Sequence, residues 1–435
     1  MLYIQHNDLA SFVASIFSQI ACSIEESQRI AHYLVSANLS GHDSHGVVRV
    51  PRYVQMKHEG AVIADQEVKI VSDTPVIAVL DGGYGFGQSV APQATRIGID
   101  KCKQLGLSAI TLRNAGHIGR VGDFAEMAAA EGLVSVHFVN AAGSILVAPF
   151  GGVDRRFSTA PFCVGLPRPG KSPLILDFAT SVVAEGKVLV ASQGGKQIPP
   201  DALIGPDGAM GNNPELLYGK YEATGPRDHR KGEGAIRAFG EHKGSGLAVM
   251  CELLGGALSG TGATSPGRPF ANGMMSLFID PARIDPTSFF PSEVDRYISY
   301  LKASRLADPD AEILMPGETE ERYREQRRRE GCPLAEDTWQ SIVECAKREG
   351  LSEQLIPQTL KNHTVLIINK MHIGKLRTQA DRNPGSNIDI GIHLGAYRGP
   401  AQIEVHQSLH PHGLTNLWRD FNLLACGQTS RLAVG

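Results

Sequence analysis

The chain has 435 residues, a formal net charge of −3, and 42% hydrophobic against 20% charged side chains, enough for two or three lobes with separate cores. A nucleic-acid partner would ask for a basic stripe; the one basic run, Arg327-Arg328-Arg329, is flanked by Glu320, Glu321, Glu325 and Glu330 and reads as a solvated, self-paired helix face. Seven widely spaced cysteines without a CxxC pair exclude a disulfide framework and a zinc ribbon.

The opening Met1–Asp8 lacks a basic n-region and a long apolar core, so no signal peptide is expected and the cytoplasm is the default location. Ser23 and Glu26 form a capping-box pattern, and Ile30, Leu34 and Val35 share one face of the helix that follows. That helix is expected to stop near Leu39-Ser40-Gly41, with Gly41 in a left-handed position and His42–Gly46 on a loop beyond it. From about Val68 the pattern changes to strands at Val76–Leu80, Leu107–Leu112, Val134–Val139 and Leu174–Leu176. Helix candidates lie between them at Ala91–Leu105 and Asp123–Glu131, and after them at Lys243–Ser259. The most apolar of these, Leu247–Leu258, is too short to span a membrane and contains Glu252, so no membrane partner is expected. Tyr218–Arg237 is polar and Gly-rich and reads as a loop or insertion. Helices return at Pro291–Leu306, Glu318–Glu330 and Ala335–Glu349; beyond Ile356 periodicity fades, and six of the fifteen histidines fall there. The pattern predicts an α/β (α+β) protein, a mixed-sheet lobe joined to a helical lobe.

A dinucleotide-binding Rossmann turn needs GxGxxG between strand and helix, so that bare backbone can approach a pyrophosphate. The near misses Gly83-Tyr-Gly85-Phe-Gly87, Gly244-Ser-Gly246 and Gly260-Thr-Gly262 lack the third glycine, and P-loop and HExxH motifs are absent. The segment Asp43–Tyr53 gathers an acid, a hydroxyl, the imidazole of His45, Arg49, Arg52 and a phenol. Histidine suits proton transfer near neutral pH, and a guanidinium suits a carboxylate. Arg49 follows His45 by four residues, the spacing of one helix face if the two open a helix. The same composition also fits a solvated loop capped by Asp43 and Ser44. Asn114–Arg120 follows a strand and precedes a helix, where amides, His117 and Arg120 suit an anion, although a lone histidine there is more often structural. Asp177–Ser181 and His242–Gly246 are alternatively tight turns or a phosphate seat at a helix N-terminus. His42 and His45 stand in HxxH spacing, but with no ordered carboxylate or cysteine beside them no metal is expected.

Together these segments resemble the lactate/malate dehydrogenase type-2 family, in order, from about residue 5 to 355. The resemblance is carried by Gly41–Gly46, Gly85-Phe-Gly-Gln88, His117-Ile-Gly119, Ala148-Pro-Phe-Gly-Gly152 and Leu176–Ser181, then by His242-Lys-Gly244, Leu254-Gly-Gly-Ala-Leu-Ser259 and Met315-Pro-Gly-Glu318. Within the family, Ala37–His45, Ser135–Val139 and Met250–Ala257 lie nearest the hydroxycarboxylate dehydrogenase branch. The resemblance implies a non-Rossmann nicotinamide-binding fold, NAD or NADP as cofactor, and a homodimer with sites near its interface. It implies interconversion of 2-hydroxy and 2-oxo acids of the hydroxyphenylpyruvate, hydroxypyruvate, glyoxylate, malate or lactate type. Residues 1–73 with 282–355 then form the helical lobe carrying the histidine loop, 74–281 the cofactor-binding lobe, and 356–435 an extension of unknown structure. His45 takes the acid/base position, with Ser44, Arg49 and His117 beside it and Tyr53 and Arg120 on the substrate side. Thr159, Pro161, Asp177, Phe178, Ala179, Thr180, Ser181, His242, Lys243, Gly244, Pro316, Gly317 and Glu318 fall in the cofactor segments. The sequence departs from the family at Ala160, where Thr-Asn-Pro is usual, in the charged Tyr218–Arg237 segment, and after Ile356. A cyclic imino-acid reductase of the same family and a non-catalytic ligand-binding relative are the alternatives.

Overall fold

The computed structural model describes residues 1–192, 197–220 and 229–358, and the backbone of the short strands Leu360–Lys361, Ile388–Asp389 and Ser408–Leu409. The chain divides into two units, Met1–Asn362 and His363–Gly435. In the second, Ile388–Asp389 pairs antiparallel with Ser408–Leu409; most of the extension set apart in the sequence lies outside the described residues.

The first unit opens with β1 (Leu2–Ile4), α1 (His6–Gln19) and α2 (Ile24–Leu39). Leu9, Phe12, Val13, Ile16 and Phe17 give α1 one fully buried stripe at three- and four-residue spacing. Ser23 caps α2 by accepting the Glu26 N–H at 3.2 Å. Only half of the expected capping box forms, because the buried Glu26 carboxylate instead accepts the Asp65 N–H at 2.6 Å. Gly41, at φ +81°, ends the helix as its sequence suggested.

After α3 (Val50–His58), the chain forms β2 (Lys69–Asp73), β3 (Ile77–Asp81), α4 (Gly87–Leu105), β4 (Leu107–Ala115), α5 (Gly122–Ala130) and β5 (Val134–Ala142). Then come β6 (Val147–Ala148), β7 (Pro161–Leu166) and β8 (Leu174–Ala179). They are followed by α6 (Glu185–Ser192), β9 (Leu203–Ile204), β10 (Met210–Gly211), α7 (Glu215–Tyr218) and β11 (Ala235–Arg237). Helix α8 (His242–Cys251) runs straight into a π-helical turn, Glu252–Ala257, before β12 (Ala271–Ile279). The chain closes with α9 (Pro281–Ile284), α10 (Phe289–Lys302), α11 (Glu318–Glu330), β13 (Cys332–Leu334) and α12 (Glu336–Arg348). Leu360–Lys361 (β14) pairs with β1, so the first unit continues past Leu355. No described helix is long and apolar enough to cross a membrane.

Seven strands form one sheet in the order β2-β3-β4-β12-β5-β7-β8. Only β3 and β4 run parallel within it. Its central strand, β12, is not among the strands expected from the sequence; it lies between β4 and β5. Helices α4 and α5 cover one face over a core of Leu80, Ile110, Phe124, Met274 and Phe278. A smaller sheet, β10-β9-β11-β6, has its own core of Val147, Leu203, Leu217, Tyr218 and Ile236. The polar Tyr218–Arg237 segment therefore ends in a paired strand and is not loop throughout; residues 221–228 lie outside the described set. Phe12 and Trp339, 5.4 Å apart, join the first and last helices of the unit in a third core.

Helix α4 sits on β12 by way of Gly98, where an added Cβ would stand 2.3 Å from Phe278 Cε2. Gly98→Ala is expected to lower stability by about 1–3 kcal/mol, the usual cost of overpacking. Urea unfolding measures it; an unmoved midpoint would mean the helix does not rest on that ring.

Candidate active site

Two short turns carry the first cluster: a 3₁₀ turn at Asp43–His45 and another at Val47–Arg49, separated by Gly46 in extended conformation. His45 and Arg49 therefore do not share a helix face. Gly46 is obligatory, since a Cβ there would lie 2.1 Å from Asn38 Oδ1, the atom that accepts the Val47 N–H at 2.8 Å. Asp43 accepts from Asn38 Nδ2 at 2.7 Å and, bidentate, from Arg327 at 2.6 and 3.1 Å. His42 bonds Glu320 at 3.2 Å. The basic run expected on a solvated face thus contributes Arg327 inward, clamping the histidine loop to α11.

The His45 and His117 rings stack with centroids 5.6 Å apart and planes 17° from parallel. Ser44 Oγ lies 3.0 Å from His45 Nδ1. His117 follows β4, and its Nδ1 lies 2.6 Å from the Tyr53 hydroxyl. Gln88 Nε2 donates to that hydroxyl and to the His117 carbonyl, both at 3.1 Å. A phenolic proton directed at Nδ1, with Gln88 donating to the phenol oxygen, leaves the neutral His117 ring its N–H on Nε2, the tautomer used below. Burial and the Arg49 charge push the His117 pKa down to about 3. Burial, then His117 and Arg49, hold His45 well below the usual histidine range. Both rings are neutral at pH 7.

Arg49 Nε donates to the Ser44 carbonyl at 2.6 Å, and its terminal nitrogens have no hydrogen-bond partner among the described residues. Helix α6 borders them: a Cβ on Gly186 would stand 2.9 Å from Ser44 Cβ and 4.0 Å from Arg49 Nη2. Tyr53 is buried, with its hydroxyl 2.6 Å from His117 Nδ1. Arg120 is buried in ion pairs with Asp123 and Glu126, each at 2.8 Å, and so is not a free cation.

Strand β8 is the spine of the remaining segments. Pro161 pairs with Ala179, and the Thr180 hydroxyl donates to the Thr159 and Ala160 carbonyls at 3.2 and 3.0 Å. The Phe239 N–H bonds the Thr180 carbonyl at 3.0 Å, and Phe178 meets Phe239 edge-on at 5.3 Å, which brings the start of α8 alongside. At the other end, Ile175 N–H donates to the Pro316 carbonyl at 3.2 Å, beside Gly317 at φ +94°. Asp177 accepts the Gly122 N–H at 2.7 Å, and burial raises its pKa. Thr180 and Ser181 spend their hydroxyls on backbone, Ser181 on the Val183 carbonyl at 2.8 Å. Glu318, the first residue of α11, accepts from Met315 N and from Lys302 Nζ, so its carboxylate too is engaged within the protein. His242 and Lys243 lie exposed at the α8 N-terminus, and Gly244 lets the helix close on the Phe239 carbonyl, 2.0 Å from where a Cβ would be. No cluster of three or more metal-ligating side chains occurs among the described residues.

Residues 4–343 match the family described as malate/L-lactate dehydrogenase. The chain belongs to that family. Hydroxycarboxylate dehydrogenase B of Escherichia coli strain K12 is 39% identical over 355 residues, covering 80% of this chain and 94% of the relative. The solved structure of a candidate malate/lactate dehydrogenase from E. coli superposes with a TM-score of 0.75 at 38% identity, over 81% of this chain and 97% of the other. A delta1-piperideine-2-carboxylate reductase from Pseudomonas syringae superposes at TM-score 0.67 and 25% identity, over 80% of this chain and all of its own. As a member of the malate/L-lactate dehydrogenase family, the protein is an oxidoreductase acting on the CH–OH group of hydroxy acids, with a nicotinamide cofactor. The residues present suit such a group: an exposed lysine at the N-terminus of α8 offers positive charge, beside the helix dipole, to a pyrophosphate.

Gln88, within Gly85-Phe-Gly-Gln88, and Arg327 complete the site although neither was expected there, and nothing local in the sequence points Arg327 inward. Tyr53→Phe discriminates between roles for the phenol. If the hydroxyl fixes the His117 ring, turnover is expected to fall several-fold with the substrate Michaelis constant little changed, as befits a bond of about 0.5–1.5 kcal/mol. A rise in the Michaelis constant alone would put the phenol on the substrate.

Proposed function

We propose that this dehydrogenase interconverts 2-oxo and 2-hydroxy acids, with NAD or NADP seated outside any Rossmann turn along β8 and the start of α8. The observation that carries the reading is the stacked, neutral His45–His117 pair beside an unpartnered guanidinium edge of Arg49. A largely antiparallel sheet without GxGxxG supports the non-Rossmann seat. The homodimer and cytoplasmic location implied by the resemblance belong to the same reading.

Arg49 holds the substrate carboxylate through its terminal nitrogens, its Nε tethered to Ser44. His117 offers Nε2–H to the C2 oxygen, which gathers charge as the carbonyl is reduced. The bound nicotinamide supplies hydride to C2, or accepts it in the reverse direction. His45 takes the hydroxyl proton during oxidation and returns one to the C2 oxygen during reduction, with Ser44 orienting its ring. Lys243 and the α8 amides bind the cofactor phosphates, and Pro316-Gly317 borders the seat at the other end of β8. Imine reduction is the second reading, prompted by the likeness to the piperideine-carboxylate reductase. A panel of 2-oxo acids and cyclic imino acids with NADH and NADPH, followed at the nicotinamide absorbance, separates the two; cofactor binding without turnover on any of them would leave a non-catalytic relative.

His45→Ala is expected to lose about a hundred- to ten-thousand-fold in turnover while still binding cofactor. The depressed pKa also sets the pH dependence. Neutral His45 is the form needed for oxidation, so hydroxy-acid efficiency should be level from pH 7 upward and fall only in acid. Reduction needs the protonated ring, so oxo-acid efficiency should drop about tenfold per pH unit through the neutral range. A flat reduction profile between pH 6 and 8 would reject His45 as the proton donor.

Arg49→Ala is expected to cost roughly 1.5–3 kcal/mol of catalytic efficiency, about tenfold to more than a hundredfold. Arg49→Lys, which keeps charge but loses the planar fork, should be hurt less. The preference for a 2-oxo acid over its uncharged amide must collapse in Arg49→Ala. If it survives, another cation holds the carboxylate.

A further inference from the structure

Glu252 is a buried carboxylate that the proposed reaction does not use, and no cation pairs with it among the described residues. Five donors converge on it instead. Oε1 accepts from Ser158 N at 2.9 Å, Ser158 Oγ at 2.7 Å and Thr264 Oγ1 at 2.9 Å, and Oε2 from Thr264 N at 2.8 Å and Asn140 Nδ2 at 3.2 Å. Such saturation is what makes a buried carboxylate tolerable. The network continues: Asn272 Nδ2 donates to the Asn140 carbonyl at 2.6 Å, and Asn272 Oδ1 accepts the Ile118 N–H at 3.0 Å. Ile118 is the residue after His117. On the other side, Ser158 Oγ also accepts the Ala160 N–H at 3.1 Å, within the Thr159–Pro161 segment.

The Leu254–Ser259 motif explains how the carboxylate gets there. Glu252 begins the π-helical turn, and a Cβ on Gly255 would stand 2.7 Å from the Phe138 carbonyl. On Gly256 it would lie 2.4 Å from Asn140 Nδ2, and on Gly273 2.2 Å from the Gly255 carbonyl. The paired glycines let the widened turn press onto β5 and β12, and π turns recur where a site requires a shifted side chain.

We propose that Glu252 is a positioning residue for hydride transfer: through Asn140 and Asn272 it fixes the peptide bearing His117, and through Ser158 the edge of the cofactor seat. The inference rests on the functional reading above. A misplacement of about 1 Å at a reacting centre costs on the order of a hundredfold, so a hub joining both sides of the site acts on turnover more than on binding.

The test compares Glu252→Gln, Asn272→Ala and Asn272→Asp in the full chain, using phenylpyruvate with NADH and with NADPH. Glu252→Gln and Asn272→Ala should keep native near-ultraviolet dichroism and Michaelis constants within about threefold. Their turnover should fall about tenfold to a hundredfold, with a larger isotope effect from C4-deuterated cofactor. In Asn272→Asp the second oxygen faces the Asn140 carbonyl and must carry a proton to donate as the amide did. Its turnover relative to wild type should therefore recover as pH is lowered, a signature that a merely structural role would not give. Folded variants with wild-type turnover, or an Asp variant with no acid recovery, overturn the proposal; if Glu252→Gln does not fold, the Asn272 pair decides alone. A wild type inert toward every 2-oxo acid refutes the functional reading instead. The positioning claim is then judged by the His117 ring nitrogen shifts in the cofactor-free protein, which Asn272→Ala must move.

Discussion

The His45 and His117 rings stack at 5.6 Å beside the Arg49 guanidinium, and the surroundings favour the neutral form of both. Burial removes the water that would stabilise the protonated rings, and Arg49 adds a repulsive positive charge. Tyr53 and Gln88 then decide which nitrogen of His117 keeps its proton. In the proposed reaction the two rings serve as a base and a hydrogen-bond donor, made from the same residue type by unequal surroundings. An anion beside Arg49 would relieve the repulsion, in keeping with the carboxylate proposed there.

Holding that pair in place falls to distant parts of the chain. Helix α11 reaches the histidine loop with Arg327 on Asp43 and Glu320 on His42, while Pro316 and Gly317, just before it, lie against β8. One element therefore touches both the histidine loop and β8. Arg327 matters less for ion-pair energy than for geometry: its two bonds fix the Asp43 carboxylate in a plane, and Asp43 shares Asn38 with the backbone of Val47. A lysine would supply the charge without the plane.

What the sequence made legible is what local chemistry determines. Ser23 at a cap, Gly41 at a helix end and the span Glu318–Glu330 each follow from a few neighbouring residues. The grouping of Ser44, His45, Arg49 and His117 was legible because the first three lie within six residues and the fourth sits in a motif of its own. What escaped was set at long range. Arg327 meets Asp43 across 284 positions, and nothing nearby tells an inward arginine from the solvated ones beside it. Arg120 looked like a free cation because its partners, Asp123 and Glu126, come three and six residues later and enclose it only when α5 packs down. In strand β12, which the sequence analysis did not single out, Gly273 admits the Gly255 carbonyl and Asn272 holds the Ile118 amide.

Ala160 shows how such constraints are shared. It is buried at φ +35°, a region that disfavours side chains other than asparagine or glycine and costs about 1 kcal/mol or more. The family resemblance places asparagine there, a residue that tolerates this backbone and adds a polar group. With alanine the tolerance is gone, yet the conformation persists because both of its peptide groups are held: Ser158 Oγ takes the N–H and the Thr180 hydroxyl donates to the carbonyl. Ser158 is itself held by Glu252. The strained peptide is therefore linked by hydrogen bonds to the same carboxylate that contacts Asn140, and Asn140 and Asn272 lead on to the Ile118 amide.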